Sequence, residues 1–187
     1  MFFKISKSQW ALVFAYVCMF ALGSADNARG PLFPELISFY KLTNSTGSLS
    51  FALTSAATMT GTVLSVFILR KIHLDRLLIL ATFLMGFGLL IMASSEVFNF
   101  YIAGALFFGL GMGCTGVSQN LMLAENVDEK NKTKAMAGLH GIYGLSSFIA
   151  PWVASRSPHW FREHCPQLSF LTDWRSAFYL TSLLCLL

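Results

Sequence analysis

The chain has 187 residues, 55% hydrophobic and 12% charged, with a formal net charge of +4 and a mean hydropathy of +0.62. A soluble domain carries roughly twice that share of charge, so lipid rather than water is the expected solvent. The positive charge does not point to nucleic acid, because the basic residues form short clusters beside apolar runs instead of one polar face.

A helix needs about 20 mostly apolar residues to cross a hydrocarbon core of about 30 Å. Runs of that kind cover 10–36, 49–69, 76–94, 98–123 and 135–154, with a shorter sixth at 174–187. The first follows Lys4 and Lys7 as a signal peptide would. It outruns signal length and leads directly into polar, Pro-containing sequence, which predicts a retained helix. Its most informative residue is Asp26, since a carboxylate at membrane depth costs on the order of 3 kcal/mol unless paired, protonated or hydrated. Arg29 lies one turn on, so a local ion pair is one role for Asp26. A proton- or cation-linked carboxylate in a central cavity is the other. Pro31 and Pro34 remove two backbone donors, which predicts a kinked or unwound outer end with carbonyls free near Asp26 and Asn27. The alternative is a helix end at the interface, with Arg29 and Glu35 among headgroups.

Between the second and third spans stand Arg70, Lys71, Asp75 and Arg76. With alternating helices, these basic residues share a side with Lys4, Lys7, Lys130, Lys132 and Lys134, against Lys41, Arg156, Arg162 and Arg175 opposite. The excess predicts a cytoplasmic N-terminus. In the fourth span Gly109 and Gly113 form a GxxxG pair suited to close helix packing. Gln119 and Asn120 follow, with amides that suit either solute hydroxyls or interhelical bonds. Phe108, Leu110 and Gly111 repeat the spacing of Phe20, Leu22 and Gly23, and both helices then turn polar. Such an echo suggests two helix triplets with a site between them.

The fifth span places His140 and Tyr143 on one face, amid Gly138, Gly141 and Gly144. A histidine there either ties helices together or relays protons. The loop expected over 155–173 is long, and Trp160, Phe161 and Phe170 suit an outer interface. His159, His164 and Cys165 match no metal-site spacing, and the scattered cysteines imply no disulfide framework, so no metal or other cofactor is expected. The sixth span reaches only about 20 Å, which is expected of a fragment or split gene that continues into further helices.

Together, Asp26, Gly30 and Pro34 closing helix 1, Arg70 and Lys71 ending helix 2, the run 109–120, and His140, Gly141, Tyr143 and Gly144 with Pro151 resemble the N-terminal half of a major facilitator superfamily transporter. They are most similar to the fucose:proton symporter branch. Asp75 and Arg76 are what remains of the family's motif between helices 2 and 3. The resemblance implies two six-helix halves, alternating access, a cavity lined by helices 1 and 4, and Asp26 as coupling carboxylate.

The expected fold is therefore an all-α membrane protein, a six-transmembrane-helix half with a 3+3 repeat and a truncated last helix, filling 1–187. The expected function is secondary active transport of a small polar solute, possibly a sugar, coupled to a proton or sodium ion. Asp26, Asn27, Arg29, Gln119, Asn120, His140 and Tyr143 would serve the solute or the ion. The expected partners are that solute, the coupling ion, the lipid bilayer and a second six-helix half in the same or another chain, with no nucleic acid. A non-transporting scaffold or receptor is the competing class, in which Asp26 and Arg29 only stabilise the fold. No set of nucleophile, base and orienter supports an enzyme.

Overall fold

The computed structural model describes residues 7–186; Lys4 of the first basic cluster and Leu187 lie outside them. Six helices account for nearly all of it: α1 Lys7–Tyr40, α2 Asn44–Ile68, α3 Leu74–Ser94, α4 Phe98–Asn126, α5 Glu129–His164 and α6 Arg175–Leu186, with a 3-10 turn at Ser169–Leu171. The fold is all-α, the six-helix half expected. Helices α1 to α4 are each long and apolar enough to cross a membrane. In α5 the glycines, His140, Ser146 and Ser147 dilute the apolar run, and α6 has 12 residues.

Two expectations about helix ends need correction. Helix α1 neither unwinds at its prolines nor stops at 36, but runs through Pro31 and Pro34 to Tyr40. Each proline deletes one rung, the donor to Asn27 or Gly30, and the rungs on either side hold the helix. The helix stops at Lys41, which takes a left-handed φ of 53°. There the Leu42 N–H donates to the Ile37 carbonyl at 2.9 Å and the Lys41 N–H to Ser38 at 3.3 Å, the paired bonds of a Schellman ending. Helix α5 likewise continues to His164, so the first part of the expected 155–173 loop is helical. Pro151 and Pro158 cost it single rungs, and Arg162 and His164 in the last turn complement the helix dipole.

The packing pairs exchange under a swap of triplets: α1 lies along α5 as α4 lies along α2. Ala21, Ala25, Ala28 and Leu32 of α1 form a buried cluster with Met85, Leu89 and Met92 of α3, Phe108 of α4 and Phe178 of α6. Helices α4 and α2 touch backbone to backbone. A Cβ on Gly109 would sit 2.5 Å from the Thr54 carbonyl oxygen, and Gly113 faces Thr58 and Thr62 in the same way. The GxxxG pair thus packs as expected. The echoed glycines do not share a role, since Gly23 faces Tyr143 and Ser146 of α5 while Gly111 faces Ala81 and Met85 of α3.

Candidate functional site

Gly23 sets the site, because its missing side chain lets α5 approach until Tyr143 lies 3.0 Å from where a Cβ would stand. One turn on, Asp26 uses both oxygens. Its Oδ1 pairs with Arg29 Nη2 at 2.6 Å, and its Oδ2 accepts from the Tyr143 hydroxyl at 3.0 Å. Asn27 Nδ2 donates to the Gly23 carbonyl at 2.8 Å and to Ser147 Oγ at 2.9 Å. The Ser147 hydroxyl in turn donates to the Tyr143 carbonyl at 2.8 Å. Two helices are thereby joined by a continuous polar network, in which Arg29 Nε alone is a buried donor without an acceptor.

Arg29 is the more buried partner of the ion pair, its side chain 9% exposed against 24% for Asp26. Its guanidinium carbon lies 4.8 Å from the Phe108 ring centroid of α4 and 5.2 Å from that of Phe51 of α2. A cation held this way and away from water gains about 2 kcal/mol or more from each favourable ring. Residues 26 and 40 are about 20 Å apart along the helix axis, so the pair lies well inside α1 and, with Arg29 buried, deep in the bundle. Every other carboxylate in the sequence lies near a helix end or in a loop.

The remaining expected residues line a cleft of about 600 Å³ between α1, α2, α4 and α5. Gln119, Asn120, His140 and Tyr143 share it with Met19, Leu22, Thr58, Thr62 and Met112. His140 is exposed there and Tyr143 half-buried. Asn120 donates to the Gly116 carbonyl one turn back, at 2.7 Å. Gln119 is 1% exposed, and its amide nitrogen reaches Met19 Sδ at 3.1 Å, while its Oε1 and the neighbouring Thr115 Oγ1 have no partner. A thioether is a weak acceptor, so Gln119 keeps unused capacity for a polar ligand.

The seven expected residues therefore form two groups that meet at Tyr143. Asp26, Asn27 and Arg29 lie behind it and do not line the cleft, whereas Gln119, Asn120 and His140 do. Ser147, Phe51, Phe108 and the Thr58 and Thr62 pair belong to the site without having been expected. Ser147 had a signal, one turn from Tyr143 on the same face. Phe108 had only its place in the echo with Phe20, and Phe51 had no signal, being one of the 18 phenylalanines.

Residues 12–187 match the sequence model of the Major Facilitator Superfamily. The chain belongs to that superfamily. No curated protein matches it. Superfamily membership and four apolar helices of spanning length make it an integral, multi-pass membrane protein and a transporter of the major facilitator type.

Proposed function

We propose that this major facilitator chain is the N-terminal six-helix domain, residues 1–187, of a secondary active transporter that moves a small polar solute by alternating access, with the N-terminus in the cytoplasm and a second six-helix half completing the cavity. The observation that carries it is Tyr143, whose ring lines the cleft while its hydroxyl donates to Asp26. Gln119, Asn120 and His140 meet the solute, Arg29 and Tyr143 hold the carboxylate, and Asn27 ties α1 to Ser147 beside it. Protonating Asp26 removes the counter-charge of Arg29 and weakens the acceptor of Tyr143, so the ionisation of one group and the occupancy of the other are linked. A proton is the proposed coupling ion. Sodium is the alternative, with the Asp26 oxygens and the Asn27 carbonyl that Pro31 leaves free as its ligands. A sugar is the proposed solute, supported by the likeness of Asp26, Gly30, Pro34 and of the His140 to Gly144 stretch to the fucose:proton symporter branch.

The test is solute uptake into proteoliposomes by this chain with its second half, with and without a pH gradient. The charge-neutral variant Asp26→Asn/Arg29→Gln is expected to exchange solute across the bilayer and to lose gradient-driven accumulation. Undiminished accumulation would remove Asp26 from coupling, and accumulation on a sodium gradient alone would replace the proton.

One observation favours a second reading, a scaffold or receptor: the ion pair closes within α1 at 2.6 Å and needs no solute. In that case the unaltered protein moves no solute. Loss of folded protein in Asp26→Asn with rescue by neutralising Arg29 is common to both readings, so uptake decides between them.

A further inference from the structure

Helix α5 has 36 residues, about 54 Å at 1.5 Å per residue, against a hydrocarbon core of about 30 Å. Both charged ends, 129–134 and 156–164, therefore reach headgroup depth. At the second end, a cavity of about 640 Å³ opens between α5 and α6 with Trp152, Arg156, His159 and Trp160 around its mouth. Val153 and Leu180 line it too, and both also line a second cavity of about 170 Å³ that runs between α1, α5 and α6 past Phe20 and Leu184. The two cavities adjoin at Val153 and Leu180, the outer one cationic and aromatic and the inner one largely apolar.

The side chains at the mouth differ in how they are engaged. Arg162 donates to the Thr172 carbonyl at 3.1 Å, and His164 stacks on Trp160 at 4.8 Å. Arg156 lies over the Trp152 ring, 5.1 Å from its centroid, and among the described residues it pairs with no carboxylate. His159 is one turn away on the same face, and Glu163 is the one acid in the lining. Trp152 and Trp160 are 61% and 52% exposed, as indoles at a headgroup boundary are. A bare cation beside an apolar slot at that depth complements a phosphate that carries an acyl chain and no compensating ammonium.

We propose that this pair of cavities binds an anionic phospholipid, with its phosphate between Arg156 and His159 and one acyl chain along Val153 and Leu180. The site is separate from the solute cleft, and its occupancy does not depend on what the transporter carries.

The test places the chain in phosphatidylcholine vesicles containing a minority of acyl-brominated lipid and follows tryptophan quenching. Brominated phosphatidylglycerol is expected to quench Trp152 and Trp160 well beyond brominated phosphatidylcholine at equal fraction. The preference should fall about fivefold for each basic residue lost in R156Q and H159Q, and it should persist in K71Q/K134Q, which alters charge at the other end of the bundle. Equal quenching by the two lipids, or a preference unchanged in R156Q/H159Q, would overturn the proposal. Val153→Phe fills the slot without touching charge and should lower the preference as well; a folded V153F chain with full preference would overturn the acyl-chain placement.

Discussion

The α1–α5 and α4–α2 crossings occupy corresponding places in the two triplets but are built from different chemistry. Where α4 meets α2, glycines set backbone against backbone, and the hydroxyls of Thr54, Thr58 and Thr62 each donate to the carbonyl one turn earlier in their own helix. Across this seam the Cys114 thiol of α4, a weak donor, reaches the Gly61 carbonyl of α2 at 3.2 Å, while these hydroxyls stay within their own helix. Where α1 meets α5, Asp26 and Asn27 bond to Tyr143 and Ser147 across the gap. Polar groups satisfied within their own helix let the helices slide or separate at little cost, while groups that cross report on the relative position of the helices. The fold thus provides two similar seams and places its chemistry in one.

The sharpest way to break the comparison is to unbalance the charged seam. Asp26→Asn leaves the Arg29 cation 8% exposed with no carboxylate, which is expected to destabilise the fold by about 3 kcal/mol or more. Arg29→Gln should cost less, because Asp26 keeps Tyr143 and partial hydration. The double variant should recover most of the loss. Thermal unfolding in detergent measures all three, and an unrescued double variant would show that the pair is not what holds this seam.

Next in size is the neutral seam. A Cβ on Gly113 would run into the Thr58 carbonyl and stand 2.8 Å from the Thr62 nitrogen. Gly113→Val therefore has to push two backbones apart, at about 1–3 kcal/mol. Gly116 has nothing within 4 Å of a built Cβ, so Gly116→Ala should leave stability unchanged. Equal effects from the two would mean that the glycine contacts do not set the α2–α4 distance.

Tyr143→Phe tests the bridge itself. The ring stays in the cleft, and a hydrogen bond to a charged acceptor worth about 1.5–3 kcal/mol is lost. Solute exchange in proteoliposomes should persist while the response to a pH gradient weakens. Loss of exchange with an intact gradient response would assign Tyr143 to binding alone.

Much of this fold was legible before any coordinates, because spanning length and hydropathy are set by the bilayer. Helix ends were less so. The expectation that Pro31 and Pro34 open α1 came from the loss of single donors, and in lipid the intact rungs around them have no water to turn to. The ion pair of Asp26 with Arg29 was readable from spacing on one helix. Its link to Tyr143 was not, since that depends on how α1 and α5 are rotated, which Gly23 fixes by contact. Nor could sequence separate Phe108, fully buried, from Phe148, 83% exposed, because lipid and protein core are equally apolar surroundings.

The smallest expected effect compares one hydroxyl on each seam. Thr54 donates at 2.7 Å to the carbonyl of Ser50, one turn back in α2, an oxygen that the helix backbone already serves. Thr54→Val keeps the side-chain shape and should shift stability by no more than about 0.5 kcal/mol. Ser147→Ala removes the oxygen that accepts from Asn27 of α1 at 2.9 Å. Asn27 then keeps its bond to the Gly23 carbonyl and a 3.5 Å contact to Tyr143, so the loss should be about 1 kcal/mol, not the full penalty of an orphaned amide. Paired unfolding curves resolve a difference of that size, and a larger loss from Thr54→Val than from Ser147→Ala would reverse the assignment of the polar work to the α1–α5 seam.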